Sequence, residues 1–393
     1  MAKTNSGYIE GIYQELAEAV QSRRVNSAML IERWTSLFAK IARGEIVLPG
    51  QLLLHLQQAS GFSRRNLAEG LRTMCKGWQK CETCPEGLQR PAGEMLRIAI
   101  IAAGNIPGVA VAPAVLLASA GYPVVVKLAK SDQWFLPWLL QLFNRLYPGL
   151  ETGIRAFYWP PSSREIRELL QTAQRILAFG SDATIATLRR QFPQKLIGFG
   201  HKFSVAYVDS VTLNSAALAG LARDVSLFDQ SGCLSVQAIF VRGQKGQVRR
   251  WAERFSRALS KSIDDLGKGQ AEASRMVKIH AARDTLDMLG QPYFHGQDFG
   301  WFVAVSENFS ADFLLGGNFV QVIAVANPKS ALRMLEPQKS FLQGVALACE
   351  ALDFDRLAEG FYQFGISRVA RPGEMQSPPL DWANNGIRLP DDL

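Results

Sequence analysis

From about residue 95 the chain alternates short apolar runs with amphipathic stretches, and this rhythm restricts the fold more than any other property. Strand-like runs fall at 96–102, 123–128, 155–159, 175–179 and 204–208. Between them, 109–119, 135–146, 163–174 and 182–191 read as helices. Strands separated by helices of this length build βαβ units and hence a parallel, doubly wound sheet. Such sheets take ligands outside the carboxyl ends of their strands. Gly104-Asn105-Ile106-Pro107-Gly108, Lys127 and Gly180-Ser181 each stand at such an end.

The same rhythm disposes of a membrane span. Residues 98–126 carry no formal charge and are long enough to cross a bilayer. Asn105, Pro107, Gly108, Pro113, Gly121 and Pro123 interrupt them, so strand, turn, helix, turn and strand is the better reading. Residues 1–94 read as a helical region; Leu67, Leu71, Met74 and Trp78 fall at helical spacing behind Ser63, a suitable N-cap. Residues 95–210 form the first α/β domain and 211–365 a second α/β lobe. The tail, 366–393, is rich in Pro and Gly and is expected to run along the surface.

Inside the second lobe one short segment has the wrong company for core filler. Phe228-Asp229-Gln230-Ser231-Gly232-Cys233-Leu234-Ser235-Val236-Gln237 sets a cysteine in a polar loop just before the strand-like run 236–241. A lone cysteine usually behaves as a small hydrophobe. A thiol at a loop-to-strand junction can instead meet a substrate and borrow backbone N–H groups for an oxyanion. Cys233 is therefore the candidate nucleophile.

Composition excludes several classes. The 393 residues are 48% hydrophobic and 20% charged, as in ordinary globular proteins. Net charge is +8, but the bases are scattered. The densest patch, Arg249, Arg250, Arg254, Arg257 and Lys261, is the wet face of a helix whose buried stripe is Val248, Trp251, Phe255 and Leu259. No aromatic-interleaved basic motif points to nucleic acid. Five cysteines and an N-terminus without a signal peptide suggest a reducing, cytoplasmic setting. Cys75, Cys81 and Cys84 lack a fourth ligand nearby; a reduced, partly exposed cluster is expected, and no metal site. His55, His201, His280 and His295 have no ligand spacing, and neither G-x-S-x-G nor G-x-G-x-x-G occurs.

Taken in order, these segments resemble the aldehyde dehydrogenase superfamily, and within it the acyl-CoA reductases of the bacterial luminescence fatty acid reductase type. Gly104–Gly108, Val124-Val125-Val126-Lys127, Phe179-Gly180-Ser181-Asp182 and the Cys233 segment carry the likeness. Gly365-Ile366-Ser367-Arg368-Val369 and Gly373-Glu374-Met375-Gln376-Ser377-Pro378-Pro379 extend it from about residue 60 to the end. The resemblance implies two doubly wound parallel-sheet lobes behind an N-terminal helical region. It implies that Cys233 holds the acyl group as a thioester and that Asn105 and the Cys233 backbone N–H form the oxyanion hole. Lys127 would contact the adenosine ribose of NADPH, with Gly180 and Ser181 over its pyrophosphate. That superfamily binds NAD(P) without the glycine fingerprint.

One departure gives direction. Aldehyde-oxidising members carry a Glu-Leu-Gly-Gly segment whose glutamate activates water; Gly198 stands at that position here. A thioester with no base beside it waits for hydride. The expected activity is reduction of an acyl-CoA or acyl carrier protein thioester to an aldehyde by a homo-oligomer, with an acyl-activating synthetase as a possible partner. An acyltransferase or thioesterase-like acyl carrier using Cys233 without hydride, and a non-catalytic scaffold subunit, remain as alternatives.

Overall fold

The computed structural model describes residues 7–82, 88, 95–212, 214–270 and 273–393. Two compact units divide the chain: one holds 1–60, 71–201 and 379–393, the other 61–70 and 202–378.

The first unit is built on a five-stranded parallel sheet, order β3-β2-β1-β4-β5. Its strands are β1 (Ile98–Ile101), β2 (Val124–Lys127), β3 (Ile154–Phe157), β4 (Arg175–Phe179) and β5 (Leu196–Phe199). Ile98, Ala99, Ile100 and Val124, Val125, Val126 are all wholly buried, as a sheet covered on both faces requires. Helices α1 (Tyr8–Gln21), α2 (Ser27–Ala42) and α3 (Gly50–Ser60) precede it. Ile9, Ile12 and Leu16 of α1 lie in one core cluster with Leu169 and Leu170, and the Tyr13 hydroxyl donates to the Ile98 carbonyl at 2.8 Å. Helices α5 (Val111–Ser119), α6 (Phe135–Leu146), α7 (Arg164–Thr172) and α8 (Asp182–Gln191) follow β1, β2, β3 and β4 in turn. The uncharged stretch is thus β1, turn, α5, turn and β2. Among the described residues no helix is long and apolar enough to cross a membrane.

Helix α4 (Arg64–Trp78) begins in the second unit and ends in the first. Ser63 caps it, its Oγ accepting the Asn66 N–H at 3.0 Å.

The second unit carries seven strands, order β12-β11-β6-β7-β10-β9-β8. They are β6 (Phe203–Val208), β7 (Val236–Arg242), β8 (Tyr293–His295), β9 (Phe302–Ser306), β10 (Phe319–Val325), β11 (Leu342–Ala348) and β12 (Arg368–Ala370). Only β8 runs antiparallel to its neighbour. Helices α9 (Ser215–Ser226), α10 (Lys245–Leu266), α11 (Ala273–Met288), α12 (Pro328–Leu335) and α13 (Phe354–Gln363) complete it. Val248, Trp251, Phe255 and Leu259 of α10 are buried, and Arg249 and Arg250 face solvent.

Three expectations are corrected. Residues 203–208, counted above with the first α/β domain, pair with β7 and β11 of the second sheet. The tail does not merely skirt the surface: Met375 is wholly buried and Gln376 and Leu380 nearly so. Two main-chain N–H groups fasten it, Gly373 and Met375 donating to the Asp224 carboxylate at 2.7 and 3.1 Å. The cysteine cluster is not an exposed, reduced trio. Cys75 lies on the buried stripe of α4, fully enclosed, and Cys81 is disulfide-bonded; Cys84 lies outside the described residues.

Candidate active site

In the first unit, the strand order places β1 between β2 and β4, and the predicted residues gather at the carboxyl ends of these three strands. After β1, the Gly104–Gly108 loop exposes Asn105. Asp132, almost completely buried, grips that loop: it accepts the Gly108 N–H at 2.7 Å and the Phe135 N–H at 3.2 Å. The Ser131 Oγ donates to the Gly104 carbonyl at 2.7 Å. Gly108 sits at φ +84°, where a β-carbon would also press the Phe135 and Trp78 rings at 3.2–3.3 Å, so only glycine serves. Lys127, the last residue of β2, is half-buried, and desolvation lowers its ammonium pKa.

After β4, Gly180 and Ser181 enter α8. Ser181 is its N-cap, accepting the Thr184 N–H at 3.3 Å. Asp182 turns back, accepting the His201 N–H at 2.8 Å. His201 therefore anchors a turn through its main chain. Gly198 lies on β5 opposite Ala178, with its α-carbon packed under Ile185.

Cys233 lies in the second unit, half-buried at the amino end of β7. The four residues expected to work with it, Asn105, Lys127, Gly180 and Ser181, lie in the first. The cysteine loop is fastened on its far side. The Ser204 Oγ donates to the Cys233 carbonyl at 2.8 Å, and the Ser235 N–H donates to the Gly232 carbonyl at 3.0 Å. The Gln376 Nε2 donates to the Ser235 Oγ at 2.9 Å. A β-carbon at Gly232 would stand 3.3–3.4 Å from Gln376 and Ser235, so this corner has little room to spare.

On the near side the backbone is strained. Phe228, Asp229 and Gln230 all adopt positive φ, at 53°, 47° and 61°. Each non-glycine residue in the left-handed region costs roughly 1–2 kcal/mol, and three in succession persist only where the surroundings impose them. Asn66 of α4 accepts the Phe228 N–H at 2.8 Å and donates to the Ser226 carbonyl at 3.2 Å and to Asp229 Oδ1 at 3.0 Å. The Gln230 Nε2 donates to the Val236 and Phe319 carbonyls at 2.7 and 2.9 Å. Ser204, Gln376 and Asn66 escaped the sequence reading, although Ser204 opens a strand-like run and Gln376 lies in a segment that carried the family likeness.

Burial pushes the Cys233 thiol up to about 11; hydrogen bonds from the backbone N–H groups of Cys233 and Leu234 and the charge of Lys202 pull the other way. The Lys202 ammonium is held by the Ser340 carbonyl at 2.6 Å. A separate cavity of about 770 Å³ opens beside Gly243, Lys245 and Glu307. It lies at the carboxyl ends of β7 and β9, the opposite end of β7 from Cys233. Among the described residues, no group of three or more His, Cys, Asp or Glu side chains could hold a metal ion.

A family model described as acyl-CoA reductase (LuxC) matches residues 62–392. Among curated proteins, the chain is similar to long-chain acyl-protein thioester reductase 2 of Photobacterium leiognathi, 26% identical over 175 residues, covering 43% of this chain and 36% of that protein. A second relative is the long-chain acyl-protein thioester reductase of Vibrio harveyi, 28% identical over 127 residues, 31% of this chain and 27% of that one. The aligned segments thus span about a third of these relatives' length. Among solved structures, the indole-3-acetaldehyde dehydrogenase of P. syringae in complex with NAD+ matches with TM-score 0.64 at 12% identity, covering 93% of this chain and 80% of that one. A NAD-dependent benzaldehyde dehydrogenase from Corynebacterium glutamicum matches with TM-score 0.64 at 14% identity, covering 94% and 86%. The fold is that of the aldehyde dehydrogenases.

Proposed function

The chain belongs to the acyl-CoA reductase (LuxC) family, and from that membership we propose that it reduces a fatty acyl thioester to an aldehyde through an acyl-Cys233 intermediate. The observation that carries this reading is the loop itself. A half-buried thiol stands at the amino end of a central strand, in a loop tied by Ser204 on one side and by Asn66 on the other. The Cys233 thiolate attacks the thioester carbonyl and the carrier thiol leaves, whether that thiol belongs to coenzyme A or to an acyl carrier protein. On the family resemblance, the Asn105 amide and the Cys233 N–H would meet the negative charge on the carbonyl oxygen. Gly198 offers no carboxylate to activate water, so the acyl group stays on sulfur.

The residues at the first sheet's carboxyl edge fit a nicotinamide dinucleotide. The capped N-terminus of α8 suits a pyrophosphate, because its first N–H groups have no partner within the helix. Lys127, at the end of β2, would contact the adenosine ribose. NADPH is the better fit. In NAD-binding sheets an acidic residue near the strand end holds the ribose 2′-hydroxyl. The only acid in residues 127–132 is Asp132, which is committed to the Gly108 and Phe135 N–H groups, while Lys127 and Lys130 are the bases of that segment. When bound, this cofactor supplies the hydride.

The test is NADPH oxidation over a panel of acyl thioesters, with intact mass of the protein. Wild-type protein should turn over and gain an acyl mass when NADPH is withheld; Cys233→Ala should do neither. Asn105→Ala should keep the acyl adduct and lose about 10²–10³ in kcat. Turnover by Cys233→Ala at the wild-type rate would sink the proposal. Release of the carrier thiol beyond one equivalent without NADPH would point instead to acyl transfer or hydrolysis.

A further inference from the structure

The mechanism above makes no use of Asn66, yet this side chain is 1% exposed and spends all of its amide's hydrogen-bonding groups on the turn that leads into Cys233. Asn66 sits in the first turn of α4, about 160 residues upstream of its partners. Its position there is rigid: Ser63 caps the helix beneath it, and the Ser63 Oγ also donates to the Leu266 carbonyl. One turn further on, Gly70 lies flat on the Phe228 ring, and a β-carbon there would come within 2.3 Å of it. Phe62 meets the same ring edge-on at 5.9 Å. Helix α4 thus holds Phe228 by its ring and by its backbone N–H at once.

Left to itself, the sequence Phe-Asp-Gln has no preference for three left-handed residues. Glycine is absent from all three positions, and Asp alone among them tolerates that region. The local chain would relax toward ordinary backbone angles, and the direction in which Ser231-Gly232-Cys233 leaves the turn would change with it. The far side of the loop, tied by Ser204 and Gln376, fixes where Cys233 ends; the near side fixes how it arrives.

We propose that Asn66 is a positioning residue for Cys233, holding Phe228-Asp229-Gln230 in a left-handed turn that aims the thiol. The inference rests on the reading of Cys233 as the nucleophile. Asn66 touches neither substrate nor sulfur on this account; its effect passes through the backbone.

The experiment uses the full chain and three readouts: kcat and KM with an acyl thioester, the rate of iodoacetamide alkylation at Cys233 resolved by peptide mass, and the unfolding midpoint. Asn66→Ala should lower kcat at least 10-fold with KM within about 2-fold. It should change the alkylation rate of Cys233 and leave that of Cys349, a free thiol elsewhere in the same unit, unchanged. Adding Asp229→Gly, which makes positive φ free of steric cost, should recover most of the lost kcat; Asn66→Asp, which loses both N–H donors, should not rescue. Should Asn66→Ala fail to fold, a pair at position 229 decides. Asp229→Asn tolerates the left-handed region and Asp229→Val does not, so kcat should stay within about 3-fold for the first and fall at least 10-fold for the second. Equal kcat for that pair, or unchanged kcat and Cys233 alkylation in a folded Asn66→Ala protein, overturns the proposal. If Cys233→Ala remains active, the reading of the nucleophile fails instead, and the alkylation rates still report whether Asn66 sets the loop.

Discussion

At the scale of single residues, Cys233 is a reluctant thiolate. Its pKa is pushed up to about 11 mainly by burial, so near neutral pH the resting thiol is almost wholly protonated. Since thiolate is the nucleophile, alkylation of Cys233 in the free protein should rise about tenfold per pH unit from pH 7 and level off near 11. A plateau below pH 8 in a pH series of alkylation rates would contradict this. The polar company of Cys233 made it readable in the sequence, because Gly, Ser, Asp and Gln around a cysteine are local information. Lys127 and Ser181 were readable for the same reason, as strand and helix ends. Asn66 was not. A buried asparagine in a helix looks like any other helical polar residue until the chain returns to it from far downstream.

At the scale of elements, the C-terminal segment is held by one acid. Asp224 is wholly buried and its pKa is pushed up to about 7, by desolvation first, against the pull of the Gly373 and Met375 N–H groups and of Arg368 and Arg223. A carboxyl whose folded pKa exceeds its unfolded value favours the fold fully below about pH 4, and loses that contribution as pH rises through about 7. Asp224→Asn cannot titrate. The stability gap between wild type and Asp224→Asn should therefore favour wild type most near pH 4 and shrink by pH 8, by roughly 4 kcal/mol at most. Denaturant melts of both proteins across that range give the answer; a constant gap would rule it out. Helices and strands of the first sheet were legible from their periodicity, with ends within three residues. Strand β5 was not, because four residues containing Gly198 show no alternation to read. Strand β6 was legible as a strand but not as a member of the second sheet, since an apolar run carries no record of its partner.

For the whole molecule, the boundary between units is crossed four times by the chain: near residues 60, 70, 201 and 378. The last crossing makes the C-terminus structural in both. Met375 and Gln376 fill the second unit, while the Leu380 N–H donates to the Lys80 carbonyl at 2.8 Å in the first. Truncation after Pro372 should therefore abolish cooperative unfolding, measured by differential scanning calorimetry, rather than trim a loose end; a truncated chain with the wild-type midpoint would show the segment to be dispensable. No local pattern announced this, because a run rich in Pro and Gly looks the same whether it drapes over a surface or plugs a core. The glycine on β5 carries a consequence for engineering. A β-carbon at Gly198 would stand 2.5 Å from Ile185 Cγ2 and 3.3 Å from an Arg189 nitrogen, and neither Ile185 nor the strand backbone can simply swing aside. Installing a glutamate at 198, as a test of whether a carboxylate there would let water at an acyl group, would have to begin by emptying position 185, so that test needs a pair of changes.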